Sequence, residues 1–209
     1  VARGTLITIE GLDGAGKTTL AGALHRELAA RAAGAHPVEL LREPGGVEVS
    51  ERIRALVMDP ALAVLPRAEA LLYAAARAQL VEQRLAPLLR DGAVVLLDRF
   101  VDSSLAYQGA ARGLGVEQVR AINLFAAGGL VPDRTLLLRI SPADGRARKH
   151  ERASEPDRLE REGEDFFAAI AAAYDELARA EPERIRAIDA LQSPERVLRD
   201  ALAALADLL

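Results

Sequence analysis

The sequence predicts an α/β domain: a five-stranded parallel sheet flanked by helices, in three layers. Three features lead there. Short, continuously apolar runs of strand length recur along the 209 residues, as parallel strands covered on both faces require. Segments with helical periodicity separate these runs. The first run passes straight into a glycine loop that opens a helix.

The strand segments are 5–10, 38–42, 93–98, 135–140 and 185–189. Helical patterns cover about 17–32, 47–58, 66–90, 103–109, 116–127, 142–152, 162–180 and 194–208. Leu20, Ala23, Leu24 and Leu28 give the first helix its apolar stripe. No internal repeat or interdomain linker interrupts the order, so residues 1–209 are expected to form one domain. The polar stretch 151–165, which overlaps the segment of about 143–162 expected as a lid, is the best candidate for a mobile flap. Ligands of such a sheet collect at the carboxyl ends of its strands. The motifs fall there, after Glu10, Leu41 and Leu97.

Half of the residues are hydrophobic, yet no apolar run approaches membrane-spanning length. With no basic-then-apolar leader, a cytoplasmic protein is expected, with no membrane partner. Zero cysteines exclude disulfides, thiolate metal sites and a thiol nucleophile. A formal net charge of −4 argues against nucleic acid as a partner. The histidines, His25, His36 and His150, have no metal-ligand spacing.

Glu10-Gly11-Leu12-Asp13-Gly14-Ala15-Gly16-Lys17-Thr18-Thr19 contains G-x-x-x-x-G-K-T, a phosphate-binding P-loop. Its glycines let backbone N–H groups turn inward around phosphate oxygens, and the helix opening at Lys17 adds its positive end. Lys17 is expected to reach the β- and γ-phosphates of ATP, and Thr18 to supply a hydroxyl to Mg²⁺. Asp98, ending the third apolar run, resembles a Walker-B carboxylate acting on Mg²⁺ through water, with Arg99 pointing into the same crevice. Helix cap and surface charge are the plainer alternatives for that pair.

Arg42-Glu43-Pro44-Gly45-Gly46 makes an exposed turn with an Arg and a Glu at its edge. It suits either an ordinary loop or an anion contact. Glu69, Tyr73 and Arg77 share one helix face. That spacing fits an aromatic ring stacked on a planar base beside an Arg reading its edge, and equally fits core packing with a surface ion pair. Ser103, Ser104, Tyr107 and Gln108 concentrate hydrogen-bonding groups just after Asp98-Arg99. Arg146, Arg148, Lys149 and Arg152 form a basic run beyond the fourth strand, with Asp157-Arg158-Leu159-Glu160 following. Ala15 gives the P-loop no second cation, so another segment must supply the charge that phosphoryl transfer needs.

Together these stretches resemble the thymidylate kinases, P-loop kinases that phosphorylate dTMP with ATP. The likeness rests on E-G-L-D-G-A-G-K-T-T, R-E-P-G-G, A-E-A-L-L-Y-A-A-A-R-A-Q, D-R-F-V-D-S-S-L-A-Y-Q-G and D-R-L-E, in that order and spacing. The resemblance implies a P-loop kinase fold, ATP and dTMP as partners, Mg²⁺ as cofactor and a homodimer. It implies that Gly11 to Thr18 hold the ATP phosphates, with Thr19 beside them. Arg42 and Arg99 would grip the dTMP phosphate, with Glu43 and Pro44 alongside. Tyr73, where the family usually has Phe, would stack on thymine, and Arg77 would bond its O4. Ser103, Ser104 and Gln108 would lie against the base, Tyr107 against the deoxyribose, and Asp13 near its 3′-OH. The catalytic Arg would come from the lid, as Arg146, Arg148 or Arg152, acting with Lys17 and Arg99. Another P-loop kinase is the nearest rival reading. A GTP switch would need an Asn-Lys-x-Asp run, which is missing.

Overall fold

The parallel sheet forms as expected. The structure, a computed structural model, describes residues 3–150 and 158–209, with only the backbone of His150. Strands β1 (Thr5–Gly11), β2 (Val38–Arg42), β3 (Val94–Asp98), β4 (Arg134–Arg139) and β5 (Ile185–Asp189) pair side by side in the order β2-β3-β1-β4-β5, all parallel. β1 lies between β3 and β4, and β3 between β1 and β2. The carboxyl ends of β1, β2 and β3 therefore emerge together.

The apolar strands feed two faces because successive side chains alternate. Ile7, Ile9, Val94, Leu96, Leu136 and Leu138 pack on one side with Leu24 and Leu28 of α1 (Lys17–Ala32) and Val197 and Ala201 of α9 (Pro194–Ala203). Leu6, Val95 and Leu97 turn to the other side, against Leu80 and Leu85. Leu137 faces Ile170, Tyr174 and Leu177 of α8 (Glu164–Ala180) there. Burying both faces excludes water from the strand hydrogen bonds and explains why the strands read as unbroken apolar runs.

The helices depart from expectation mainly where π-helical turns intrude. The segment expected as one helix, 66–90, is α3 (Pro66–Leu80), a π-helical stretch (Val81–Leu85) and α4 (Ala86–Arg90). The pattern at 103–109 is a short α5 (Val101–Ser104) running into π-helical turns (Leu105–Ala111). Wider turns of this kind rotate the following side chains and recur at functional sites. Here they carry Tyr107 and Gln108. α2 (Glu48–Met58), α6 (Val116–Ala126) and α7 (Pro142–His150) match their predicted segments within a few residues, α7 as far as the described residues run. No helix among the described residues is long and apolar enough to cross a membrane.

Candidate active site

Gly14 and Gly16 fix the shape of the P-loop. Gly16 caps α1 in a left-handed conformation, φ +93°, which L side chains rarely adopt. Gly14, φ +82°, meets α7: a Cβ there would lie 2.1 Å from the carbonyl oxygen of Gly145. A Cβ on Gly145 would in turn lie 2.7 Å from the carbonyl oxygen of Asp13. Two glycines thus let the start of α7 press backbone to backbone against the P-loop.

Lys17 is buried at the loop's centre, donating to the Leu12 carbonyl at 2.9 Å, with Asp13 Oδ1 3.5 Å away. Burial, then the Arg99 charge, push its ammonium down to about 8, against the pull of Asp13 and Asp98. Thr18 Oγ1 donates to Asp98 Oδ2 at 3.1 Å, joining the P-loop to the end of β3. Gly11 ends β1 and Leu12 is buried in the core, so both serve through the backbone. The Gly11 carbonyl accepts from Arg99 Nη1 at 3.2 Å.

Arg99 follows β3 with φ +70°, a strained value for a non-glycine residue and one that concentrates at functional sites. Its guanidinium also donates to Ser103 Oγ (3.0 Å), Asp13 Oδ1 (2.5 Å) and Tyr107 Oη (3.2 Å). Burial pushes the Asp13 carboxyl up, but the Arg99, Lys17 and Lys149 charges outweigh it and hold the group well below the usual carboxylate range. Beneath lies Glu10, fully buried. Its carboxylate accepts from Phe100 N, Ser103 N, Ser103 Oγ and Tyr174 Oη. Burial, with Asp102 adding to it, raises the Glu10 pKa despite those bonds and Arg99.

Two cavities meet at this point. One, of about 590 Å³, is walled by Gly14, Lys17, Thr18, Thr19, Asp98 and Lys149. The other, of about 160 Å³, is walled by Pro44, Tyr73, Arg77, Ser103, Ser104, Tyr107, Gln108, Leu159 and Glu160. Asp13, Glu43, Arg54 and Arg99 line both. A third cavity, of about 450 Å³, runs from Gly14, Ala15, Gly16 and Thr19 to Arg148, Ala190 and Gln192. The joined cavities offer cations at their shared wall, a glycine loop on one side and an aromatic-lined slot on the other.

The family follows from the comparisons with known proteins. A family model described as thymidylate kinase matches residues 9–201. The chain belongs to the thymidylate kinase family. It is 46% identical over 198 residues to the thymidylate kinase of Bacillus licheniformis, covering 94% of this chain and 92% of that one. Against that of Deinococcus radiodurans it is 44% identical over 207 residues, covering 99% and 98%. The crystal structure of the thymidylate kinase from Ehrlichia chaffeensis superposes with a TM-score of 0.81 at 25% identity, covering 98% of this chain and 99% of that one.

The residues expected around dTMP line one or both of the joined cavities, and one expectation is corrected. Glu43 is not at the edge of an exposed turn. It is buried, and its Oε2 accepts from Arg77 Nε (2.9 Å) and Nη2 (2.6 Å), while Oε1 is buried without a partner among the described residues. Burial raises the Glu43 pKa to about 7 even against the Arg77 charge. Arg77 is itself only 2% exposed, with all five N–H groups engaged: beyond Glu43 it donates to Phe100 O (2.9 Å), Ser104 Oγ (3.1 Å) and Asn123 Oδ1. To bond a base it must exchange one of these partners.

Arg42 lines the larger, P-loop cavity and not the smaller one, and its guanidinium pairs with half-buried Glu51 at 2.8 Å. Arg54, which sequence reasoning missed, lines both and donates to the Pro44 carbonyl at 3.1 Å. The lid arginines divide. Arg146 turns away to Glu164 at 2.6 Å and does not line the phosphate cavity. Arg148 donates to Ala190 O at 2.8 Å beside the third cavity. Among the described residues of the basic run, Lys149 lines the phosphate cavity, paired with Glu160. Arg152 and Asp157 lie outside the described residues. Glu10, Arg54 and Asn123 were given no role from sequence, and Lys149 was named only as a member of the basic run, not among the candidate catalytic residues. Glu10, at the end of a strand before the P-loop, had the only local signal.

Proposed function

We propose that this chain transfers the γ-phosphoryl group of ATP to dTMP, giving dTDP and ADP. The observation that carries the reading is the shared wall: Asp13, Arg54 and Arg99 line both the P-loop cavity and the slot holding Tyr73, Ser104, Tyr107 and Gln108. A nucleoside monophosphate with its base in the slot brings its phosphate to that wall, facing the phosphates of ATP.

Tyr73 stacks on thymine, Tyr107 sits against the deoxyribose, and Gln108, Ser104 and Arg77 meet the base edge. Arg99 and Arg54 hold the acceptor phosphate, with Arg42 reaching it from the phosphate side. The third cavity, with Arg148 at its rim, takes adenine. Thr18 Oγ1 and Asp98, whose oxygens lie 3.1 Å apart beside the P-loop, would hold a hard cation there. Mg²⁺ held there supplies charge neutralisation on the phosphoryl oxygens.

The acceptor phosphate, with a second pKa of about 6, is already mostly dianionic near neutral pH, so no general base is required. Catalysis is alignment and charge stabilisation. Lys17 and the lid cations neutralise the transferring group. Asp13 orients Arg99 and approaches the 3′-OH. The lid, about 143–162, closes over the site and excludes water from the phosphoryl group.

The enzyme acts as a cytoplasmic homodimer, one domain per chain, with no nucleic-acid partner. The dimer reading rests on large apolar side chains left exposed on neighbouring helices: Val49 and Leu56 on α2, Leu71 on α3, and Leu124 and Phe125 on α6, the last 90% exposed. Light scattering across a concentration series tests it, and a monomer at every concentration would refute it. The activity is tested by incubating the protein with ATP, Mg²⁺ and dTMP and identifying products by chromatography. Formation of dTDP supports the reading, and ADP release without dTDP opposes it.

A further inference from the structure

Glu69 does more than its place on the base-stacking face of α3 suggests. It lines neither cavity and is fully buried, yet its carboxylate is the meeting point of three chain segments. Gln108 Nε2 donates to Oε1 at 2.9 Å. Arg112, one helical turn further on, donates to both oxygens at 3.3 and 3.2 Å. Arg158, beyond α7, donates to Oε2 at 2.6 Å. The segment after Arg158 is tied a second time, by Arg112 Nη1 to Glu162 Oε1 at 2.6 Å. Leu159 and Glu160, between these ties, are wall residues of the base slot.

A carboxylate only accepts hydrogen bonds, whereas an amide has a donor end and an acceptor end. Glu69 therefore fixes which way Gln108 faces. Turning the amide over would set its oxygen against a buried negative charge, so its NH₂ stays on Glu69 and its oxygen is the end available to a base. Thymine carries an N–H at N3, and cytosine carries a lone pair there. An amide held oxygen-out accepts from the first and repels the second. Resting on the dTMP reading above, we propose that Glu69 is a positioning residue with two separable effects: it sets pyrimidine choice through Gln108, and it holds the slot wall at Leu159 and Glu160 through Arg158 and Arg112.

The two effects part in two variants. In Glu69→Gln the new amide satisfies Gln108 in either orientation. The preference for dTMP over dCMP, read as the ratio of kcat/KM values, falls about tenfold, and calorimetric dTMP affinity falls by about the same factor. In Arg158→Met the Glu69–Gln108 bond persists, so dTMP affinity falls about tenfold while the preference over dCMP is kept. A merely structural glutamate would weaken both pyrimidines alike, so a Glu69→Gln enzyme with unchanged preference overturns the proposal. If that variant does not fold, Arg158→Met decides: dTMP binding equal to that of the parent overturns it. A parent that binds no dTMP would bring down the reading beneath the proposal, and is told apart because it fails before any substitution is made.

Discussion

Arg99 and Asp13 meet at 2.5 Å where the base slot opens into the phosphate cavity. The pair joins the residue after β3 to the P-loop, and its guanidinium also reaches Ser103, Tyr107 and the Gly11 carbonyl. Under the proposed function, an arginine held by four neighbours while lining both cavities is preorganised for the acceptor phosphate. Preorganised charge of this kind carries much of the rate in phosphoryl transfer.

Arg99→Ala should lower kcat by about a hundredfold and raise the KM for dTMP, because it removes a charge used in binding and in the transition state. Steady-state kinetics check this. Unchanged constants would take Arg99 out of the site.

Arg54 and Arg42 should separate. Arg54 lines both cavities, while Arg42 is already paired with Glu51 and lines only one. Arg54→Ala is expected to raise the dTMP KM by about tenfold or more, and Arg42→Ala by less. The reverse order would move the acceptor phosphate away from the shared wall.

The depressed pKa of Lys17, about 8 in the free protein, predicts a proton linkage to ATP. Phosphates favour the charged ammonium, so nucleotide binding takes up a proton above that pH. Affinity then falls by about tenfold per pH unit beyond it. Calorimetry in buffers of different ionisation enthalpy measures the uptake. Binding without proton uptake at about pH 9 would contradict it.

Glu43 predicts an opposite kind of linkage, in stability. Its pKa is raised from 4.5 to about 7 by burial, so the folded state holds the proton more tightly than the unfolded chain across that window. Stability contributed by the protonated group is therefore lost as pH rises through the window. Relative to Glu43→Gln, the parent should lose stability between those values. Urea midpoints of the two proteins give the difference, and a gap constant with pH would refute the assignment.

The parts legible in the sequence were those whose chemistry is local. The strand runs, the glycine loop with Lys17 and Thr18, and Asp98-Arg99 at a strand end each announce their place within a few residues. Helical spacing put Tyr73 and Arg77 on one face of a helix but left base stacking and core packing equally open. The burial of Glu43 was not, because turn composition suggests exposure while the guanidinium beneath it comes from α3, 34 residues away. The saturation of Arg77 depends on Asn123, 46 residues away, with no pattern to link them. Nor could the sequence tell Arg146 from Lys149. The direction each side chain takes goes with tertiary partners, Glu164 for Arg146 and Glu160 for Lys149. The π-helical turns that place Gln108 were hidden for the same reason: an α-period pattern over 103–109 does not reveal a wider turn.

The most direct test is kcat/KM for dTMP, dUMP and dCMP by coupled ADP release. The 5-methyl group is worth about 1–3 kcal/mol, so dUMP should be a poor but measurable substrate. The account predicts dTMP first, dUMP below it and dCMP lowest. An enzyme that phosphorylates dCMP faster than dTMP would contradict it.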